Sequence, residues 1–197
     1  MSPPAPTVLV TGASGLLGRQ VMSVLAAEGV SCTGLCFSRP SDGLTKLDIT
    51  DFAATASLVK DLKPSHIIHA AAQRFPDKVE GDIEAAIKLN VESTRNLAEI
   101  SKEIGSKMIY ISTDYVFDGE HPPFFHDNKP NPLNKYGETR LVKTLTVSLG
   151  GACALRILKD LLGTLWLGRV STPHSGPSFL THTKQKFSII VGLRPYD

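Results

Sequence analysis

Short apolar runs alternate with longer amphipathic segments along the first 157 residues. The apolar runs lack the two-residue alternation of half-exposed strands, so they predict strands that helices cover on both faces. The predicted strands are 7–12, 31–37, 66–72, 107–113 and 152–157. The predicted helices are 15–29, 51–64, 82–105 and 135–150. This order predicts an α/β fold with a doubly wound parallel sheet.

The carboxyl ends of the predicted strands indicate where a ligand would bind. In open parallel sheets, ligands bind in the crevice beyond these ends. The residues concerned are Gly12 to Gly18, Phe37 to Arg39, Ala70 to Ala72 and Ser112 to Asp114. We expect them to line one crevice.

The segment TGASGLLG places Gly12, Gly15 and Gly18 between the first strand and the first helix. Glycine is needed where the backbone turns tightly and where a side chain would keep a diphosphate from the helix N-terminus. An ordinary glycine turn is the alternative interpretation. Because the segment follows a strand and opens a helix, it favours a nucleotide-binding, Rossmann-like domain.

The end of the second strand bears on the choice of dinucleotide. An acidic residue there would hold the ribose of NAD, whereas an arginine would accommodate the 2′-phosphate of NADP. The chain reads Phe37-Ser38-Arg39, with the first acid at Asp42, so NADP is favoured over NAD. Arg39 could instead be a solvated loop cation. Asp48 could contact the adenine amino group or cap the following helix.

Composition adds few constraints. The 197 residues carry a formal net charge of +2, are 42% hydrophobic and 20% charged, and contain no charge block that indicates a nucleic-acid or membrane partner. We find no secretory signal and no apolar run of transmembrane length, so a cytoplasmic location is expected. The three cysteines and six histidines lack the spacing of a metal site, and none is assigned.

Four segments together resemble a known family. TGASGLLG, HAAA, ISTDYVFDG and PLNKYGETRL, in this order over residues 7–157, resemble the extended short-chain dehydrogenase/reductases, and within them the dTDP-4-dehydrorhamnose reductase group. The segments HAAAQRFPDKVE and YVFDGEHPPF are most similar to the regulatory beta subunits of methionine adenosyltransferase. That resemblance implies NADP binding, control of S-adenosylmethionine synthesis and a catalytic methionine adenosyltransferase subunit as partner.

The resemblance also implies catalytic positions. The family's Ser/Thr falls on Thr113, its tyrosine on Tyr136 and its lysine on Arg140. In that chemistry a phenol protonates a carbonyl oxygen while a hydroxyl steadies it, and a nearby cation lowers the phenol's pKa. Arginine cannot relay a proton onward, so we expect weak or absent catalysis with cofactor binding retained. Tyr136 and Arg140 could also be mere neighbours on a surface helix.

The expected cofactor contacts combine the loop and the resemblance. They are Gly12, Ser14, Gly15, Leu16, Leu17, Gly18, Phe37, Ser38, Arg39, Asp48, Ile49, Ala70, Ala71, Ala72, Asn90, Tyr136 and Arg140. Residues 1–157 are expected to form the NADP-binding domain. Residues 158–197 match nothing in the family pattern, so we expect an atypical tail and no C-terminal substrate lobe, as an alternative transcript or a gene-model frameshift would produce.

Three interpretations of function follow. The first is a regulatory subunit of methionine adenosyltransferase that binds NADP and has little or no catalysis of its own. The second is an NADPH-dependent reductase of a dTDP-4-keto-sugar that uses Thr113 and Tyr136. The third is a truncated product without a stable fold.

Overall fold

The structure is a computed structural model that describes residues 5–38, 43–122, 124, 128–147 and 153–156. Its strands are β1 (Thr7–Thr11), β2 (Ser31–Cys36), β3 (Leu44–Lys46), β4 (His66–His69), β5 (Lys107–Ser112) and β6 (Cys153–Arg156). Its α-helices are α1 (Leu16–Ala27), α2 (Phe52–Leu62), α3 (Pro76–Gly81), α4 (Ile83–Ile87), α5 (Ser93–Glu103) and α6 (Lys135–Val147). A π-helical turn (Lys88–Glu92) joins α4 to α5, and a 3-10 turn (Asp114–Val116) follows β5.

Within the described ranges, the strands form one sheet in the order β3-β2-β1-β4-β5-β6. Every neighbouring pair is parallel, and Val8 of the central strand β1 pairs with Cys32 on one side and His66 on the other. Strands β2 and β3 therefore extend the sheet on one side of β1, and β4, β5 and β6 extend it on the other. The direction of strand addition reverses between β1 and β4. The predicted α/β class with a doubly wound parallel sheet is confirmed.

Both faces of the central strand are buried, which explains why the strands read as continuous apolar runs. Leu9 packs on one face in a cluster that includes Val59 of α2 and Leu97 of α5. Val8 and Val10 pack on the opposite face against side chains of α1. The sheet is thus covered on both sides, and its strand ends remain as the place for a ligand.

The sequence-based boundaries needed four corrections. Strand β3 and helix α3 were not predicted, because three and six residues are too short to show a period. The single helix predicted over 82–105 is α4, a π-helical turn and α5. The strand predicted over 66–72 ends at His69, since the alanines after it have left the sheet.

Several predictions lie outside the described residues, namely Arg39 and the tail 158–197. The division into residues 1–157 and 158–197 therefore stays a prediction. Over the described ranges, none of the helices has the length and apolar character to cross a membrane.

Candidate functional site

The glycine loop leaves β1 at a position that only glycine can occupy comfortably. Gly12 has φ of +70°, and a Cβ atom there would lie 2.8 Å from the backbone nitrogen of Ala71. Both observations exclude a side chain, because L-residues rarely adopt this conformation and the space is filled. The close approach brings the end of β1 against the loop after β4, two of the segments predicted to line one crevice.

The same loop lets the first turn of α1 pack onto it. A Cβ atom at Gly18 would lie 2.2 Å from the carbonyl oxygen of Gly12, so the helix can approach only because Gly18 has no side chain. The helix begins after Gly15, which offers no side-chain cap, and its first turn contains no acidic residue. No capping side chain of the helix therefore bonds the free backbone N–H groups at this end, and no acidic residue of the first turn offsets their partial positive charge. This cradle fits the diphosphate of a dinucleotide.

The other residues predicted in the loop lie where a ligand could reach them. Leu16 is exposed, and Ser14 and Leu17 are half-buried. Beyond the end of β2, Phe37 is 66% exposed and Ser38 is also exposed, so an aromatic face lies open next to the crevice.

Asp48 and Ile49 occupy different environments. Asp48 is exposed, and its Oδ1 accepts hydrogen bonds from the backbone nitrogen (2.9 Å) and hydroxyl (2.8 Å) of Thr50. It does not cap α2, because Asp51 does so by accepting a 3.0 Å bond from the nitrogen of Ala54. The capping alternative for Asp48 is therefore wrong. Ile49 is buried in the core beside α2, so its side chain supports the crevice from beneath.

The loop after β4 is tied to the end of β1 through backbone and side chain. The nitrogen of Ala70 donates to the carbonyl of Thr11 at 3.3 Å, and that of Ala71 donates to the Thr11 hydroxyl at 3.3 Å. Ala70, Ala71 and Ala72 are all half-buried. The pair of bonds fixes this loop relative to the glycine loop.

Asn90, in the π-helical turn, connects that loop to α6. Its Oδ1 accepts from the nitrogen of Gln73 (2.8 Å), and its Nδ2 donates to the carbonyl of Gln73 (3.0 Å) and to the hydroxyl of Thr139 (3.1 Å). The Thr139 hydroxyl donates in turn to the carbonyl of Tyr136 at 2.8 Å. Asn90 is fully buried and its amide is satisfied by the protein, so it shapes the crevice by holding other groups in place.

Thr113 and Tyr136 lie on elements that pack tightly together. A Cβ atom at Gly137 would lie 2.1 Å from the carbonyl oxygen of Tyr115, so α6 can approach the 3-10 turn only because this residue is glycine. The rings of Tyr115 and Tyr136 meet edge to face with centroids 5.6 Å apart. Thr113 accepts a 3.3 Å bond from the nitrogen of Tyr115 and donates a 3.1 Å bond to Asp114. Both predicted catalytic hydroxyl residues thus border the same turn.

Arg140 points into the protein. Only 2% of the residue is exposed, and its guanidinium carbon lies 4.4 Å from the ring centroid of Tyr110. Its Nη2 donates to the carbonyl of Ile111, while Nε and Nη1 are buried without a hydrogen-bond partner. The cation therefore contacts an aromatic face and one strand carbonyl, and its charge is held beneath the site.

Tyr110, below Arg140, is a buried phenol whose hydroxyl has no hydrogen-bond partner. Burial raises its pKa to about 12, an effect that the positive charge of Arg140 opposes and the neighbouring Tyr136 reinforces. The phenol therefore stays protonated near neutral pH, and it offers Arg140 a neutral ring.

His69 was not among the site residues predicted from the sequence. It is fully buried at the end of β4, with Nδ1 2.7 Å from the Thr11 hydroxyl and Nε2 2.9 Å from the Thr94 hydroxyl. Its ring stacks on Tyr110 at 5.8 Å. A polar side chain in an apolar strand that is covered on both faces needs hydrogen-bond partners within the protein. A histidine in such a strand was the sequence signal that could have identified this residue.

These features define a class of protein. A doubly wound parallel sheet, a glycine loop before the first helix, and Thr113 and Tyr136 beside one turn are the arrangement of the extended short-chain dehydrogenase/reductases, and the resemblance to that class is confirmed. The chain belongs to the family of the RmlD substrate binding domain, whose model matches residues 6–154.

Within that family the chain is similar to two kinds of protein. It is 42% identical over 156 residues to methionine adenosyltransferase 2 subunit beta of Xenopus laevis, a match that covers 78% of this chain and 47% of that protein. A crystal structure of a hypothetical dTDP-4-dehydrorhamnose reductase from Sulfolobus tokodaii is 37% identical, with a TM-score of 0.73, over 77% of this chain and 55% of that one. The chain thus spans about half the length of the relatives it matches.

A second solved structure was determined with a dinucleotide bound. It is the dTDP-4-dehydrorhamnose reductase of Bacillus anthracis in complex with NADP, 30% identical with a TM-score of 0.70 over 80% of this chain and 55% of that one. The solved reductases therefore share the fold described here, and only residues of this chain can distinguish a reductase from a regulatory subunit.

Proposed function

We propose that this protein binds NADP(H) and acts as a regulatory subunit of methionine adenosyltransferase, with little or no carbonyl reduction of its own. The observation that carries the proposal is the burial of Arg140. A cation that is packed over Tyr110 and bonded to Ile111 is not presented to a nucleotide ribose or to a substrate. Arginine also retains its proton under protein conditions, so a proton relay through this position is closed.

Nucleotide binding is supported by the glycine cradle. Gly12 and Gly18 both occupy positions where a Cβ atom would clash, and the N-terminus of α1 is uncapped by a side chain. A reduced nicotinamide would supply a hydride if a carbonyl substrate were present. The residues of this chain would hold the diphosphate at the loop and border the nicotinamide with Ala70, Ala71 and Tyr136.

NADP is the preferred dinucleotide in this proposal, with Arg39 as the partner of the 2′-phosphate. The test is a titration of the 197-residue chain with NADPH and with NADH, repeated with Arg39→Ala. We expect tighter binding of NADPH, and loss of that preference in the variant. Clearly tighter binding of NADH would show that Arg39 does not select NADP.

The regulatory role is supported by the similarity to subunits named as beta subunits of methionine adenosyltransferase. The corresponding test is co-purification with the catalytic subunit of methionine adenosyltransferase, using a full-length beta subunit as the positive control. Retention of this chain would support the role. Failure to bind where the full-length subunit binds would refute it for this chain and leave nucleotide binding as a separate question.

The second candidate is an NADPH-dependent reductase of a dTDP-4-keto-sugar. It is favoured by Thr113 and Tyr136, which have the residue types the reaction needs and border the same 3-10 turn. Here the Tyr136 phenol would protonate the carbonyl oxygen and the Thr113 hydroxyl would steady it. Product formation from that sugar by the unmodified chain would decide for this candidate.

A further inference from the structure

A chain of buried hydrogen bonds runs beneath the crevice from β1 to the π-helical turn. It passes from the nitrogen of Ala71 to the hydroxyl of Thr11, the two nitrogens of His69, the hydroxyl of Thr94 and the carbonyl of Asn90. The side chains of Thr11, His69 and Thr94 are fully buried. Water therefore cannot substitute for a lost partner without a change in the packing.

The direction of each bond can be deduced from the two ends. The carbonyl of Asn90 can only accept, so the 2.8 Å contact uses the single hydroxyl proton of Thr94. Thr94 must then accept at its 2.9 Å contact with Nε2 of His69. The proton of the His69 ring is consequently on Nε2.

The other end is consistent with this assignment. The backbone nitrogen of Ala71 can only donate, so the Thr11 oxygen accepts from it at 3.3 Å and its own proton remains available. In a neutral ring with the proton on Nε2, Nδ1 is an acceptor. The Thr11 hydroxyl then donates its proton to Nδ1 across the 2.7 Å contact. Only the neutral Nε2–H ring uses every proton in the chain.

The π-helical turn explains why Thr94 is oriented toward Asn90. The nitrogen of Ser93 donates to the carbonyl of Lys88, five residues earlier, which is the π-helical register. The hydroxyls of Ser93 and Thr94 donate to the carbonyls of Leu89 and Asn90, each four residues earlier. The turn thus links the backbone of Asn90 to His69 through the Thr94 hydroxyl, while the Asn90 side chain bonds Gln73 and Thr139.

We propose that His69 is a positioning residue: held as a neutral ring with its proton on Nε2, it fixes the π-helical turn and the loop after β4 relative to the glycine loop. The nucleotide crevice depends on this alignment, because Gly12 contacts Ala71 and Asn90 holds Gln73. The inference rests on the proposed nucleotide binding for its consequence, although the hydrogen-bond directions stand without it.

The test begins with nitrogen-15 NMR of the imidazole groups in the full chain without nucleotide. His69→Asn assigns the His69 signals among those of the six histidines. We expect a protonated Nε2 and an unprotonated Nδ1 in a single tautomer at neutral pH. A protonated Nδ1, whether in the other tautomer or in a charged ring, would overturn the proposal.

The second step uses threonine variants with a matched control. Thr94→Val removes the acceptor for Nε2, so the other tautomer should become populated and the NADPH dissociation constant should rise about tenfold. Thr55→Val is the control, because Thr55 is equally buried and its hydroxyl has no hydrogen-bond partner. It should leave both the spectrum and the affinity unchanged.

The outcomes separate the two proposals. An unchanged His69 spectrum in Thr94→Val would overturn the positioning role. If Thr94→Val does not fold, Thr94→Ser, which keeps the hydroxyl, should restore both folding and the wild-type tautomer; a folded Thr94→Ser with a different tautomer counts against the proposal. If the wild-type chain ignores NADPH while its spectrum shows the Nε2–H ring, nucleotide binding has failed and the tautomer assignment holds.

Discussion

The guanidinium of Arg140 stacks over the ring of Tyr110, 4.4 Å from its centroid, with no carboxylate bonded to it in the described part of the chain. An aromatic face stabilises a buried cation by a modest amount, which grows as water is excluded. Burial keeps the Tyr110 phenol protonated and neutral at this contact, although the charge of Arg140 favours its ionisation. Several measurable properties depend on this arrangement.

The stability of the protein should fall as the pH rises from about 10 to about 12. The unfolded chain releases the Tyr110 proton near the ordinary tyrosine pKa of 10.0, whereas the pKa of the folded phenol is raised to about 12. The folded state binds more protons in this window, so its stability is fully present below pH 10 and is lost above it, by on the order of 2 to 3 kcal/mol.

Unfolding free energies of the wild type and of Tyr110→Phe, measured near pH 9 and near pH 11.5, check this expectation. The variant lacks the ionising group, so its stability should fall less over the same interval. At the lower pH the two should be nearly equal, because the hydroxyl removed has no partner. Identical pH profiles would contradict the assignment of the raised pKa to Tyr110.

Replacing Arg140 by lysine should increase carbonyl-dependent NADPH oxidation. A lysine can give up and regain a proton, and restoring proton transfer of this kind contributes roughly 10²-fold to rate. The measurement is NADPH consumption with a keto-sugar substrate by the wild type and by Arg140→Lys. The double variant Tyr136→Phe with Arg140→Lys is the control and should lose the gain. Vigorous turnover by the wild type would refute the proposed loss of catalysis.

Gly18→Ala should weaken NADPH binding and destabilise the fold. The added Cβ atom would lie 2.2 Å from the carbonyl of Gly12, so α1 must move away from the loop. Overpacking of this kind costs about 1 to 3 kcal/mol. Gly81→Ala is the matched control, since no atom lies within 4 Å of its added Cβ. Calorimetric NADPH titration and thermal unfolding of both variants compare them, and equal behaviour would argue against the cradle.

Asn90→Ala should lower the free energy of unfolding by about 3 kcal/mol, because three hydrogen bonds of about 1 kcal/mol each are lost. Those bonds join the Asn90 amide to Gln73 and Thr139. Asn96→Ala is the comparison, since its amide makes a single long bond of 3.5 Å to the carbonyl of Phe52. Urea unfolding of both variants measures the difference. An Asn90 variant as stable as the Asn96 variant would show that Asn90 does not hold the loop.

The sequence predicted the strands and helices that are long enough to show a regular pattern of apolar residues. Strand β1 and helix α1 are long enough for apolar residues to reveal their period, and the glycines between them have few alternative uses. Helix order then implied the parallel sheet and placed the strand ends together. These inferences need only local periodicity and general rules of chain connection.

The remaining features depend on contacts between distant residues. The resemblance implied a catalytic role for Arg140, yet its guanidinium lies over the ring of Tyr110, which belongs to another element. The π-helical turn at Asn90 has no propensity signal, since it follows from how Ser93 and Thr94 bond the preceding turn. The tautomer of His69 required partners 58 and 25 residues away.

The position of β1 in the sheet also affects how the protein can be made. This strand precedes the other described strands along the chain but lies inside the sheet, and Val8 must pair with Cys32 and with His66, 58 residues later. During translation its second edge stays open until the ribosome has released β4. The central strand therefore completes its pairing only after the whole segment between Val8 and His66 has been synthesised.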